Sequence, residues 1–200
     1  MKTTIGRVFG TATAAAMLIA AAMIALPHAQ SNSPGERFSA VAVDLDQGSQ
    51  TQLEIVVERW SSEAQRQRLT DVLLKKGPDK LLEALQDAPK VGYIRTTASL
   101  AWDLHFASRV PGEDGGERIV LATDRPMGFR ELWDQTRSAE YPFTILEMRV
   151  DKSGEGDGTM SLATKVIPDK TNNVVTLENY GTQRIRLQQV KRQSARSGSR

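Results

Sequence analysis

The chain has no cysteine in its 200 residues. Disulfide bonds, a thiol nucleophile and a cysteine-ligated zinc site are therefore excluded, and the fold must be stabilised by burial of apolar side chains. A lipoprotein-type anchor, which is attached to an N-terminal cysteine, is excluded for the same reason. Histidine is nearly absent as well, since the chain has two, His28 and His105. Because a histidine-based zinc or iron site usually takes two or three imidazoles, we expect no metal and no cofactor.

Acidic residues are missing from the first 31 residues, which have the layout of a secretory signal peptide. Lys2 and Arg7 give a basic start, an uncharged run covers residues 11–26, and small and polar residues follow it. The run is nearly long enough for a membrane-spanning helix, so an uncleaved anchor is the alternative, but its many alanines contribute little to insertion. We expect cleavage after Ser31, export to the periplasm or the medium, and no transmembrane segment after processing.

Acidic residues are also missing from residue 184 onward, where six basic residues occur. The chain without residues 1–31 has 24 basic and 24 acidic residues, so its body carries about six negative charges and its end is basic. This distribution is not typical of nucleic-acid-binding proteins. Residues 191–200 are predicted to form a disordered basic tail, which is either simply solvated or a tether to anionic envelope polymers or lipid headgroups.

The hydrophobic pattern predicts one α+β domain over residues 37–190, preceded by a flexible leader at 32–36. An S-x-x-Q capping box at Ser62, a helix stop at Gly77 and Pro78 at the next helix start predict an αα-hairpin. Alternating and turn-bounded segments predict an antiparallel meander of about eight strands, curled into a barrel or folded as a sandwich, with the αα-hairpin after the second strand. The predicted strands are 37–47, 52–60, 99–110, 118–124, 143–151, 159–167, 174–180 and 184–190.

Several segments together resemble a family of small exported bacterial proteins of uncharacterised function. They are VERWSSE, GYIRT, LAWDL, RIVLATDRPMGF, EMRVDKSGEGDGTMSLATK and LENYGT, and the resemblance covers most of residues 37–187. It implies a single exported domain. It implies no activity, ligand or site.

The long connection between the fourth and fifth predicted strands is the first candidate site. Its sequence DRPMGFRELW combines cationic and apolar side chains, and long loops on β scaffolds often carry function. The alternative is structural, with the apolar residues closing one end of a barrel and the arginines solvated. The candidate binding residues of this connection are Arg125, Met127, Phe129, Arg130 and Trp133.

Asp103 and His105 form the second candidate site, because a D-x-H pair on one strand face could belong to a Ser-His-Asp arrangement. The chain has no G-x-S-x-G elbow, and an exposed or edge-of-core histidine is the alternative. Paired carboxylates could also serve glycoside hydrolysis, and the strand pattern offers Glu54 with Glu58 and Glu147 with Asp151.

The loop that begins at Asp151 has calcium-loop spacing at first sight. Its twelfth position is Leu162, where an EF-hand needs a bidentate Glu, so a hairpin turn is predicted.

From these observations we expect an exported, non-catalytic module that binds a small apolar ligand or an envelope protein. A ligand cavity would be lined by Leu100, Trp102, Leu104 and Phe106. An envelope hydrolase acting through carboxylates or the Asp103/His105 pair is the alternative.

Overall fold

The computed structural model describes residues 35–97, 100–112, 114–125, 142–169, 174–179 and 185–193. The predicted signal peptide, most of the predicted leader and residues 194–200 of the predicted tail lie outside these ranges. The described chain forms nine strands and two helices. Their order is β1 (Glu36–Asp44), β2 (Gln50–Val57), α1 (Glu63–Lys76), α2 (Pro78–Gln86), β3 (Gly92–Thr96), β4 (Trp102–Pro111), β5 (Glu117–Thr123), β6 (Phe143–Val150), β7 (Glu155–Asp169), β8 (Val174–Asn179) and β9 (Ile185–Gln193).

Eight strands form a closed antiparallel barrel in the order β6-β5-β4-β3-β2-β1-β9-β7, with β6 pairing with β7 to close the ring. The α+β prediction with an αα-hairpin after the second strand is confirmed, and the barrel form is selected over the sandwich. The last strand, β9, lies between β1 and β7 and completes the ring. Strand β8 stands outside the ring and pairs with the second half of β7, in line with β9.

The barrel interior is filled by apolar side chains from every strand of the ring. Phe38, Ile55, Leu104, Leu121 and Met148 are each fully buried there. Inward and outward residues alternate along the regular parts of the strands, because successive side chains of a strand point to opposite faces. The interior is therefore a packed hydrophobic core.

The αα-hairpin packs against the outside of the barrel. The side chain of Ser62 accepts a hydrogen bond from the backbone N–H of Gln65 and caps α1, as predicted. Gly77 separates the helices with φ of 91° and ψ of 177°, a conformation that only glycine adopts easily. The positive φ agrees with the predicted helix stop, whereas the extended ψ is outside the αL region. Apolar side chains of both helices form a second cluster with Phe143, Val166 and neighbouring residues of β4 to β8.

The predicted apolar face of β4 is wrong, because the register shifts between Leu104 and Phe106. Such a bulge adds one residue to the strand and resets the alternation of faces. Leu104 therefore lies in the interior, while Phe106 packs outside against the helical cluster. Leu100 precedes the strand and is 91% exposed. These residues do not line a common cavity.

Two further differences concern strand pairing. The short strand β3 was not among the predicted strands, and it pairs with β2 over residues Gly92 to Thr96. Strand β9 also continues to Gln193, past the predicted start of the tail, because Lys191 to Gln193 pair with Arg37 to Ser39. The described part of the predicted tail is therefore an element of the barrel.

Candidate functional site

The two ends of the barrel carry different chemistry. At one end, called the connection end, β5 leads into the long connection at Asp124 and β6 returns from it at Phe143. At the other end, called the terminal end, β1 begins and β9 ends. Of the predicted binding residues in the connection, Arg125 is described, at its root, and Met127, Phe129, Arg130 and Trp133 lie outside the described residues.

A layer of three buried threonines holds the root of the connection. Thr123, Thr144 and Thr164 lie on the neighbouring strands β5, β6 and β7, and each is fully buried. The Thr123 hydroxyl donates to the Arg125 carbonyl, and the Thr144 hydroxyl donates to the carbonyl of Leu162. Since buried hydroxyls are costly when unpaired, these bonds fix the backbone from which the connection leaves the barrel.

His105 lies on the bulge of β4, between the end of α2 and the root of the connection. Its Nδ1 is 2.8 Å from the carbonyl oxygen of Ala88, so this nitrogen carries the proton and donates it. Its Nε2 is 3.9 Å from Oδ1 of Asp124. The structure therefore brings two predicted site regions together, the histidine and the connection, through a carboxylate that sequence reasoning had not paired with His105.

Asp103 is not the acid beside His105. Its carboxylate lies 2.7 Å from Nζ of Lys90, outside the barrel. The hydrogen bond that Lys90 donates to Asp103 raises the pKa of Lys90 above its ordinary value of 10.5. The predicted D-x-H pair is thus divided: Asp103 forms an ion pair, and the bulge turns His105 towards Asp124.

Three of the four predicted carboxylates are engaged with cations or with groups of a turn. Glu54 lies between Arg37 and Arg95, and Glu147 is 2.9 Å from Nε of Arg118. Asp151 accepts hydrogen bonds in the hairpin turn between β6 and β7, as the turn prediction requires. The hydrogen bond from the Ser153 hydroxyl is the largest of the effects that lower the pKa of Asp151. A general acid for glycoside hydrolysis needs the opposite shift.

Four charged side chains meet across the terminal end and form what we call the ion quartet: Glu36, Arg109, Glu117 and Arg192. Each lies at an inward position. Glu36, Arg109 and Arg192 are paired across strands with the buried residues Val57, Ile119 and Phe38, in that order, and Glu117 lies two residues before Ile119. Nη1 of Arg109 is 2.6 Å from Oε1 of Glu36 and 3.7 Å from Glu117.

Arg192 completes the ion quartet from the last strand. Its Nε lies 2.9 Å from Oε2 of Glu36, an ion pair without hydrogen-bond alignment, and its Nη2 pairs with Glu117. The guanidinium groups also lie over aromatic rings, with Arg109 at 4.8 Å from the centroid of Trp60 and Arg192 at 5.5 Å from that of Phe38. The quartet covers the hydrophobic interior with charge-neutral, paired groups and links β1 and β9 to β4 and β5.

Sequence reasoning missed the ion quartet, although a signal for it exists. Glu36 and Phe38 have the same strand parity, as do Glu117 and Ile119. A charged residue at core parity beside a strand end is the pattern that could have identified it.

A shallow groove of about 170 Å³ lies on the outer face of β6, β7 and β9. Charged side chains dominate its lining, so it is unsuited to an apolar ligand. The lining residues are Glu147, Arg149, Asp157, Gly158, Thr159 and Arg186.

Exposed large apolar side chains occur at both ends of the barrel. Leu45, in the turn after β1, is 51% exposed, and Leu100, before β4, is 91% exposed. Both belong to the connection end, as does Arg125. Val110 is 36% exposed near the terminal end. The connection end therefore presents a mixed apolar and cationic surface.

Comparisons of the chain with protein families, with characterised proteins and with solved structures found no match. In the described ranges, no group of three or more histidine, aspartate or glutamate side chains is placed to hold a metal ion. The part of the chain that the structure describes also has no helix of the length and hydropathy needed to cross a membrane.

Proposed function

We propose that the chain is an exported, non-catalytic interaction module that binds a protein partner at the connection end of its barrel. The observation that carries this proposal is the exposure of Leu100 and Leu45 at the same barrel end as Arg125. An apolar side chain as exposed as Leu100 gains most from burial when a partner covers it.

The packed interior favours a protein partner over a small apolar ligand. A barrel that carries such a ligand holds it in an internal cavity, whereas here Phe38, Leu104, Leu121 and Met148 are fully buried and pack together in the interior. The groove on the outer face is shallow and charged. Of the two expected binding partners, a small apolar ligand and an envelope protein, these features support a protein that binds on the outer surface.

The environment of His105 favours binding over hydrolysis. In a catalytic triad one ring nitrogen faces the orienting acid and the other faces the nucleophile. Here Nδ1 donates to the carbonyl of Ala88, and Nε2 lies 3.9 Å from the carboxylate of Asp124, so the ring does not link an acid to a hydroxyl as a triad requires. The contacts of Glu54, Glu147 and Asp151 likewise serve structure.

Site-specific photo-crosslinking in the producing cell tests the proposal. A photoreactive residue at position 100 should give a crosslinked species of one defined mass, and the same residue at position 110, near the terminal end, is the matched control. Leu45→Ser should weaken the crosslink from position 100, because it removes apolar surface from the same barrel end. Equal crosslinking at positions 100 and 110, or none at position 100, would contradict the proposal.

A further inference from the structure

We propose that the partner at the connection end is a second copy of this chain, and that two copies pair through the outer edges of their β8 strands. This inference rests on the proposed function and names its partner. The resulting contact would be isologous, with the same strand contributed by each copy about a two-fold axis.

Strand β8 has the pairing of an edge strand. Among the strands that the structure describes, β7 is its one neighbour, because β8 lies outside the closed ring. An edge presents a row of backbone N–H and C=O groups on which another strand can pair. Each of the other eight strands has a neighbour on both sides within the closed ring, whereas β8 presents an open edge along its whole length.

The sequence of β8 lacks the devices that usually protect an edge. Protected edges carry lysine, proline or a bulge, whereas residues 174–177 read Val-Val-Thr-Leu, in which Val and Thr favour strands. The register of β8 against β7 is also continuous over its six residues. This edge is therefore suited to pairing.

The β7–β8 hairpin is held firmly enough to act as a template. The hydroxyl of Thr164 donates to the carbonyl of Glu178 at 3.0 Å. Val166 and Leu177 pack in the cluster beneath the αα-hairpin. Little further ordering is then required when a second strand adds to β8, which lowers the entropic cost of association.

The position of charge in β8 favours a second copy in antiparallel orientation. Glu178 is the one charged residue of the strand and lies near its end. Antiparallel self-pairing centred on Thr176 places the two Glu178 residues about 14 Å apart along the strand. Parallel pairing would place them side by side, where like charges destabilise a sheet.

Leu45 provides additional apolar surface beside this edge. Strand β8 continues the line of β9, and β1 is the next strand beside β9. The turn that follows β1 is therefore placed next to the outer edge of β8. A dimer formed there covers Leu45, which adds apolar area to a contact that backbone pairing alone would leave small.

Cysteine scanning of the purified protein tests this proposal, because the chain has no cysteine and every disulfide reports the introduced residue. Val175→Cys, Thr176→Cys and Leu177→Cys are compared with Val110→Cys near the terminal end. We expect a disulfide-linked dimer to form at least about tenfold faster at the β8 position nearest the two-fold axis than at position 110, because paired strands bring Cβ atoms to about 5 Å. Equal rates at all four positions would overturn the proposal.

The oligomeric state provides a second readout that does not depend on cysteine chemistry. Light scattering should show a dimer for the unmodified protein, and Thr176→Lys and Val175→Lys, which place like charges at the axis, should weaken it about tenfold or more. Circular dichroism verifies that both variants are folded. A chain that stays monomeric at high micromolar concentration overturns the β8 dimer. If photo-crosslinking from position 100 then yields a different protein, the proposed function is supported although the β8 dimer is not.

Discussion

Replacement of Arg192 by glutamine should destabilise the barrel selectively, because this residue joins the last strand to both acids of the ion quartet. Arg192 contacts Glu36 and Glu117 and lies over the ring of Phe38. Its side chain is 32% exposed, and Glu36 is 17% exposed. The pair therefore lies between an exposed ion pair, which contributes about 0–1 kcal/mol, and a buried one, whose disruption costs about 3–5 kcal/mol.

From these limits we expect Arg192→Gln to lower the free energy of unfolding by about 2 kcal/mol. For a domain of this size, that loss corresponds to a decrease in Tm of about 4–8 °C. The assay is thermal and urea unfolding followed by circular dichroism, at low salt and at 1 M NaCl. High salt should reduce the difference in part only, because the quartet is half-buried and is screened less than a surface pair.

Arg186→Gln is the matched control, since Arg186 is an exposed arginine on the same strand. It should change stability by no more than about 0.5 kcal/mol. A double-mutant cycle of Arg192→Gln with Glu117→Gln should give a coupling energy of about 1 kcal/mol. If Arg192→Gln and Arg186→Gln unfold at the same temperature, and the cycle shows no coupling, the ion quartet does not stabilise the barrel.

Three further predictions follow from individual contacts. Asp103→Asn removes the partner that raises the pKa of Lys90, so the variant should be less stable than wild type below pH 10.5. The Tm curves of the two proteins should converge as pH rises through the raised pKa of Lys90. A difference in Tm that stays constant with pH would contradict this. The lowered pKa of Asp151 means that its ionised carboxylate stabilises the fold, and this contribution is lost as pH falls below 3.8. Asp151→Asn should abolish this acid-dependent loss of stability. Identical acid titrations of the variant and the wild type would refute it. Leu104→Ala should cost about 2–5 kcal/mol and Leu100→Ser less than about 0.5 kcal/mol in urea unfolding, and similar losses would show that the two residues do not differ in burial as described.

Much of the architecture could be read from local patterns. Ser62, Gly77 and Pro78 defined the αα-hairpin because capping and proline preferences depend on a few neighbouring residues. Eight of the nine described strands were found for a similar reason, since alternation is a local property of a half-buried surface. The choice between barrel and sandwich could not be made in this way, because it depends on whether the last strand, β9, pairs with both β1 and β7.

The candidate site was predictable only in part. The root of the connection was identified from its composition, and Arg125 lies there. The partner of His105 was assigned to Asp103 because strand periodicity places i and i+2 on one face. The bulge between Leu104 and Phe106 breaks that periodicity and turns His105 towards Asp124. No local pattern in β4 announces the extra residue, because a bulge is fixed by the register of the neighbouring strand.

The sequence by itself determined the absence of cysteine chemistry, the acidic body with basic ends, and the number and order of most elements. These follow from composition and from interactions between residues close together in the chain. The tertiary structure decided that β9 closes the ring, that Glu36, Arg109, Glu117 and Arg192 meet across one end, and that β8 stays at an edge. Each of these joins residues far apart in sequence, and their contact energies exist only once the barrel has brought the strands together.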